Sequence, residues 1–169
     1  MESAATFRWS PRSAVLPALN YLQQPLRLFR AYDRAKREGK LTVRTDMLMA
    51  AWGFGAPETE EGLEERFAAM GIGGGFGDDL LRLEGIKLMI DGGMSDRTAR
   101  MYEPYLDQPD HRGAWVVEPN RLVKLIRLVH DLGWPMDIHT CGDEAQEVVV
   151  GSFADAQRDN PKPWLRHRV

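Results

Sequence analysis

The sequence predicts an α/β fold in which parallel strands alternate with amphipathic helices. Segments in which every second residue is apolar recur along the chain, and segments with a helical spacing of apolar residues separate them. Such alternation is typical of a parallel βα architecture, in which the polar residues of one strand face point into a barrel or lie at its carboxyl-terminal rim. A length of 169 residues fits one domain of this kind.

The composition is that of an ordinary globular protein and argues against several function classes. The hydrophobic fraction is 43% and the net charge is -3, which is not the basic balance typical of nucleic-acid binding. We find neither a signal peptide nor a run of about eighteen apolar residues, the length that a membrane helix needs. A single cysteine, Cys141, fits a reducing compartment. We therefore expect a cytoplasmic protein whose partners are neither nucleic acids nor membranes.

The first predicted elements are a helix and a strand. Apolar residues at helical spacing predict a helix over residues 25–39 that ends at Gly39. Residues 41–49 then alternate, with Met47 and Met49 on the same face as three earlier residues, and this pattern predicts a strand.

A second helix and a glycine-rich segment follow. The helix is predicted over residues 59–71, with Thr59 as a cap and acidic residues in its first turn. Residues 71–78 read GIGGGFGD and lack the lysine and hydroxyl pair of a phosphate-binding loop. We predict a flexible loop there.

Two further strands are predicted, over residues 85–93 and 134–143, and each presents polar side chains on one face. The apolar faces consist of Ile86, Leu88 and Ile90 in the first strand and of Met136, Ile138 and Thr140 in the second. The opposite faces consist of Lys87, Met89 and Asp91 in the first strand and of Asp137, His139 and Cys141 in the second. Helices are predicted over residues 118–133 and 143–161, and residues 164–169 are expected to begin another strand.

The two polar strand faces could hold a site. In a βα barrel the face packed on the helices is apolar, so Lys87 and His139 would both point inward, where they need a partner or a metal. The spacing alone also allows an exposed Lys87, a polar His139 that is not a ligand and a Cys141 that only packs. A metal site is only one of the alternatives, because zinc needs three or four ligands and the spacing shows one convincing ligand. A thiol site that pairs Cys141 with His139 is a third alternative.

A family resemblance is carried by the segment GIKLMIDGGMSDRTARMYEPYLDQPDHRGAWVVEPNRLVKLIRLVHDLGWPMDIHTCGDEA. It resembles the middle of the amidohydrolase superfamily, in particular the amidohydrolase 3 branch, which includes N-substituted formamide deformylase. That branch typically reads GIKLFADGSLGSRTA, then EPY, a helix, IHAIGD and RHRIEHA, and the corresponding motifs occur here in the same order and at the same spacings. The resemblance is clear over residues 78–169 and weak over residues 1–77, so we expect residues 1–169 to be a partial barrel domain.

The resemblance implies part of a (β/α)8 TIM-like barrel of the metal-dependent hydrolase type. Such a barrel holds one or two divalent metals, usually zinc, which activate water to hydrolyse carbon-nitrogen bonds other than peptide bonds, as in a small amide or formamide. By this resemblance Lys87 matches the lysine that becomes a metal-bridging carbamate in many members, and His139 matches the first of two single histidine ligands. Arg97 matches a loop arginine and is expected to contact substrate, although a surface charge is an equal alternative. Asp143 matches an aspartate that we expect to cap the next helix.

The chain also departs from the family pattern. Its histidines, His111, His130, His139 and His167, include no HxH pair, and the second single histidine and the late aspartate have no counterpart. We therefore expect a fragment that is inactive by itself; the alternative is a catalytically silent barrel segment that associates with a complementary chain or with another copy. Asp137 is either an acceptor for the imidazole N-H of His139 or an ion-pair partner of an uncarbamylated Lys87, and without a metal we favour the ion pair.

Overall fold

A computed structural model describes residues 13–14, 25–50 and 60–169 of the chain. The strands of this part are β1 Ser13–Ala14, β2 Arg44–Ala50, β3 Phe76–Gly77, β4 Leu81–Met89 and β5 Met136–His139. Its helices are α1 Pro25–Arg37, α2 Glu60–Met70, α3 Pro119–Asp131 and α4 Asp143–Asp159. The predicted Thr59 cap lies outside the described residues. None of the described helices is long and apolar enough to cross a membrane.

The described strands form one mainly parallel sheet. Strand β4 is central: β2 pairs with it in parallel along residues 81–87, and β5 pairs with it in parallel along residues 86–89. Strand β1 extends the sheet beyond β2, and the short β3 runs antiparallel to the first half of β4. The predicted α/β class is confirmed as a mixed α/β fold around a sheet.

Strand β4 begins at Leu81, four residues before the predicted start, and a bulge separates its first part from the part that was predicted. Met47 of β2 pairs with Leu83, but the next residue, Leu48, pairs with Gly85, so Glu84 is the additional residue. The bulge keeps Leu81 and Leu83 on the same face as the later apolar residues of β4. It also interrupts the two-residue alternation, which is why the sequence pattern indicated a strand only from residue 85.

The core lies between the apolar face of the sheet and helix α3. Of the residues predicted to form the apolar strand faces, Thr140 is only partly buried. The others, and the α3 residues packed on them, are each at most 2% exposed: Ile86, Leu88, Ile90, Met136, Ile138, Leu122, Leu125, Ile126 and Val129. The ring of Trp134, two residues before β5, contacts Phe67 of α2 with 5.5 Å between centroids. Each fully buried aliphatic side chain contributes about 1.5–3 kcal/mol of transfer free energy, so this layer fixes which face of β4 and β5 is left for polar groups.

Two predicted segments differ in detail from the structure. Residues 71–78, predicted as a flexible loop, form a tight turn that includes β3, and a Cβ at Gly77, whose φ is 137°, would overlap the backbone of Leu81. Residues 164–169, predicted to begin a strand, make a single parallel bridge to β5: Arg168 donates its N-H to Met136, and Ile138 donates its N-H to Arg168, at 2.8 and 2.9 Å.

Candidate metal centre on the polar face of the sheet

The structure brings Lys87 and His139 to one face of two neighbouring strands. Lys87 of β4 lies opposite Asp137 of β5, and two residues further along Met89 lies opposite His139. All four side chains belong to the face away from the helices and are partly buried. This face is called the polar face below. The register therefore makes Lys87 and His139 diagonal neighbours on the same face of adjacent strands, and the shared face is as the sequence predicts.

Lys87 forms an ion pair with Asp137. The Lys87 ammonium donates to Oδ1 of Asp137 at 3.0 Å, and the two side chains are only 18% and 26% exposed. The second oxygen of Asp137 accepts from Nε of Arg168 at 3.3 Å, and Arg168 also lies 3.6 Å from Glu84. Of the two roles open to Asp137, the structure shows the ion pair with Lys87. Positive and negative side chains alternate along this series of contacts.

The imidazole of His139 is held by the loop that follows β4. Nε2 lies 3.2 Å from the carbonyl oxygen of Gly92, and the carbonyl of His139 accepts the N-H of Ile90 at 3.2 Å. A carbonyl can only accept, so this contact requires the hydrogen on Nε2 and leaves the lone pair on Nδ1. A neutral imidazole in that tautomer can coordinate a metal through Nδ1.

Cys141 is a poor candidate for a nucleophile. Its sulfur lies 3.6 Å from Nε2 of His139, so a contact exists between the two groups. Burial raises the pKa of the Cys141 thiol, and the negative charges of Asp91 and Asp96 raise this pKa further. Both effects disfavour the thiolate that a thiol enzyme requires.

Asp91 is a central polar residue that the sequence reasoning placed on the polar face without giving it a role. Its side chain is fully buried, and its carboxylate accepts three backbone N-H groups, from Arg100, Cys141 and Gly142, at 2.8–3.0 Å. A signal existed in the sequence: an acidic residue that directly follows a buried strand and precedes two glycines lies where the loops of a parallel sheet meet.

Arg97 lies in the loop between β4 and α3 and pairs with another loop residue. Its guanidinium forms two contacts with the carboxylate of Asp107, at 2.9 and 2.5 Å, and Asp107 raises the pKa of Arg97. The carbonyl of Arg97 accepts from Nε2 of His111 at 2.7 Å, and its φ is +58°. The side chain is 40% exposed, so a substrate could reach it, and its role as a substrate contact stays a prediction.

We expected Asp143 to cap helix α4, but the cap position is occupied by Gly142. Asp143 is the first helical residue, and its Oδ1 accepts the N-H groups of Glu144 and Tyr102 at 2.8 and 2.9 Å. The carboxylate still lies at the positive end of the helix, where it is favourable. The prediction was wrong by one position, since the backbone turns into the helix directly after the glycine.

A histidine pair, the fully buried His130 and the partly buried His167, lies at the other end of β5. Nδ1 of His130 lies 2.9 Å from Nε2 of His167, Nε2 of His130 contacts the carbonyl of Asn160 at 2.7 Å, and Nδ1 of His167 accepts the N-H of Met136 at 3.1 Å. Burial, and then the proximity of His130, lowers the pKa of His167 to about 4. The sequence analysis noted these two histidines only as forming no HxH pair, and the structure shows all four of their ring nitrogens bonded to protein.

The polar face offers only some of the donor atoms that a divalent metal requires. Lys87, once neutral or carbamylated, and Nδ1 of His139 would be two donors on one face of adjacent strands. Within the described ranges, no group of three or more His, Cys, Asp or Glu side chains is arranged to hold a metal. Zinc takes three or four protein ligands, so these residues supply a portion of a site.

Comparisons with known proteins agree on one family. The amidohydrolase family matches residues 4–168. The proposed amidohydrolase YtcJ of Bacillus subtilis (strain 168) is 28% identical over 140 residues, which cover 83% of this chain and 23% of that protein. The protein LONG AFTER FAR-RED 3 of Arabidopsis thaliana is 29% identical over 89 residues, which cover 53% of this chain and 15% of that protein.

Two solved structures share the fold. Both are uncharacterized metal-dependent hydrolases, from Pyrococcus horikoshii OT3 and Pyrococcus furiosus, and both are 29% identical in sequence to this chain. Their TM-scores are 0.60 and 0.61, over 75% and 76% of this chain and 24% and 25% of theirs. The chain thus spans about a quarter or less of the length of the relatives it matches.

Proposed function

Because the chain belongs to the amidohydrolase family, we propose that it forms part of the active site of a metal-dependent hydrolase. The two Pyrococcus proteins that share its fold are described as metal-dependent hydrolases, which supports a divalent metal here as well. We propose zinc as the metal, a (β/α)8 barrel as the complete fold, and a small molecule with an amide or formamide carbon-nitrogen bond as the substrate.

One observation carries this proposal: Lys87 and His139 share the polar face at neighbouring register positions. In the proposed site both are metal ligands, His139 through Nδ1 and Lys87 as a carbamate. An ammonium has no lone pair, so Lys87 must leave its ion pair before it can serve. Asp137 need not be left unpaired when this happens, because its second oxygen already contacts Arg168 at 3.3 Å.

The loop after β4 then supports the ligands of the polar face. A divalent metal, when bound, polarises the substrate carbonyl and makes water a stronger nucleophile. The Gly92 carbonyl holds His139 in the tautomer that keeps Nδ1 available. Arg97 lies in the loop after β4, at the end of the strand where parallel βα folds place substrate contacts, and would exchange Asp107 for a substrate oxygen.

The proposal is tested by measuring bound zinc and amide hydrolysis together. The purified chain and its His139→Ala and Lys87→Ala variants would be dialysed against zinc, analysed for metal content, and incubated with a panel of formamides and other small amides. His111→Ala is the matched control, since it removes a histidine from a loop outside the polar face. We expect zinc in the parent chain and the control and much less in both variants. Equal zinc in all four proteins would refute the assignment of the ligands.

A second candidate function is a silent barrel segment that acts by association. It is favoured by the small number of donors, since zinc needs three or four ligands and the described residues contain no group of three or more His, Cys, Asp or Glu that could hold a metal. In this case the chain completes a barrel with a complementary chain or with a second copy. Light scattering on the isolated chain would show a defined assembly. Chelator-sensitive hydrolysis by a monomeric chain would exclude this candidate.

A further inference from the structure

Asp91 carries a full set of hydrogen bonds although it is buried. Its side chain is 0% exposed. Oδ2 accepts the N-H groups of Arg100 and Gly142 at 2.9 and 2.8 Å, and Oδ1 accepts that of Cys141 at 3.0 Å. A buried carboxylate without partners would be expensive, whereas charge-assisted bonds to several backbone N-H groups stabilise the ion. The carboxylate also lies at the start of helix α4, where the helix dipole favours a negative charge.

The three donors come from two segments that are distant in sequence. Arg100 belongs to the loop after β4, whereas Cys141 and Gly142 form the turn between β5 and α4. Asp91 therefore joins the carboxyl ends of two adjacent strands. Close packing supports this junction: a Cβ at Gly142 would overlap the backbone of Arg100, so glycine is required for the segments to approach.

His139 is bonded to the two neighbours of Asp91 in sequence. Ile90, directly before Asp91, donates its N-H to the carbonyl of His139, and Gly92, directly after Asp91, accepts from Nε2 of the ring, both at 3.2 Å. The backbone of His139 is thus fixed from one side of Asp91 and its ring from the other. Two residues beyond His139, the N-H of Cys141 returns to the Asp91 carboxylate.

We propose that Asp91 is a positioning residue, which joins the ends of β4 and β5 so that the imidazole of His139 is held with its hydrogen on Nε2. The use of Nδ1 for a metal rests on the proposed function, but the positioning of the ring does not. Without Asp91 the Gly92 carbonyl and the turn at Cys141 lose their common anchor. The ring of His139 then rotates, and its two tautomers mix.

The first test is nitrogen-15 NMR of the histidine rings in the metal-free chain. In the parent chain we expect His139 as the Nε2-H tautomer. In Asp91→Asn, the amide keeps the size of the side chain but directs an NH2 group at backbone donors, so we expect a mixture of tautomers. Asp96→Asn is the matched control, because Asp96 lies in the same loop and accepts only from Thr98 in the described contacts. A folded Asp91→Asn chain with the parent tautomer would overturn the proposal.

Zinc titration of the same three proteins separates the two proposals. We expect Asp91→Asn to weaken zinc binding by about 10-fold to 100-fold, the range typical of residues that orient a ligand, and Asp96→Asn to leave it unchanged. If the parent chain binds no zinc, the proposed function fails, whereas the tautomer result still decides the role of Asp91. If Asp91→Asn binds zinc as tightly as the parent chain, the positioning role is refuted.

Hydrogen exchange in the unaltered chain keeps the proposal testable if Asp91→Asn does not fold. The amides of Arg100, Cys141 and Gly142 should exchange as slowly as those of β4, because a single buried carboxylate holds them. Fast exchange at these three amides beside a protected sheet would contradict the junction, whatever the variant does.

Discussion

The two ends of β5 hold histidines in opposite situations. At the amino end, His130 and His167 form a chain of hydrogen bonds that engages every ring nitrogen, and His130 is fully buried. At the carboxyl end, both ring contacts of His139 within the described chain involve Nε2, and the ring is partly buried. The first arrangement uses histidine as a core hydrogen-bonding group, whereas the second leaves a lone pair for a ligand.

The comparison shows that residue type alone does not mark a metal ligand. All histidines of the chain look equivalent as sequence letters. The number of ring nitrogens bonded to protein separates His139 from His130 and His167, and its place on the polar face separates it from the loop residue His111. A change at the amino end should therefore lower stability with little effect on metal binding. A change on the polar face should lower metal binding with little effect on stability.

The largest effect on stability is expected from His130→Ala. The substitution opens a cavity beside α3 and β5 and leaves the carbonyl of Asn160 and a nitrogen of His167 without their partner. We expect the free energy of unfolding to fall by about 3 kcal/mol in urea denaturation. His139→Ala should cost less than about 1 kcal/mol. Equal losses in the two variants would remove the distinction between the two ends of β5.

Acid should destabilise the fold through the amino end of β5, because the pKa of His167 is lowered to about 4. Below the ordinary histidine pKa, the unfolded chain binds a proton that the folded chain binds only near pH 4. The contribution of His167 to stability is thus complete above about pH 6.5 and decreases as the pH falls towards 4; because solvent partly screens this half-buried ring, we expect a loss on the order of 1 kcal/mol. Urea denaturation from pH 7 to pH 4.5 measures it.

A His167→Phe variant separates this contribution from the ordinary acid titration of carboxylates. Its stability should lose that part of the pH dependence, while His111→Ala should retain it. An identical pH dependence in His167→Phe and the parent chain would show that His167 is not the responsible group.

Lys87→Met should have a smaller effect on stability. The variant removes a partly buried ion pair but keeps the aliphatic length of the side chain, and Asp137 retains Arg168. Because Asp137 is partly exposed and keeps a cationic partner, the variant does not leave an unpaired buried charge, so we expect a change of less than about 1 kcal/mol in urea denaturation. A loss above about 3 kcal/mol would indicate that the ion pair is part of the core and not a group available to a metal.

Arg97→Ala should have the smallest effect on stability. Its ion pair with Asp107 lies on the exposed surface of the loop, where such pairs contribute little. We expect an unchanged urea midpoint together with a raised KM in any hydrolysis assay that the parent chain supports. A shifted midpoint with an unchanged KM would assign Arg97 to loop structure instead of to substrate.

Much of the fold followed from the sequence because its signal is periodic. Five buried residues of the two strand faces were predicted individually, since burial against a helix layer imposes alternation: Ile86, Leu88, Ile90, Met136 and Ile138. The bulge at Glu84 was missed, because an extra residue breaks that alternation at the point where it must be recognised.

The site was predictable only as far as it lies on strands. Lys87 and His139 could be placed on one face from their alternation with apolar neighbours. The role of Asp91 was not visible, because its three donors lie nine and about fifty residues away and are backbone groups. The turn around Gly142 likewise depends on the approach of Arg100, which no local pattern records.

The most direct test of the account is a zinc titration followed by nitrogen-15 NMR of the four histidines, His111, His130, His139 and His167. We predict that zinc shifts Nδ1 of His139 and leaves the rings of His130 and His167 unchanged, and that Lys87→Ala weakens this response. A zinc response at His111 or at the buried pair, with none at His139, would contradict the assignment of the polar face as the metal site.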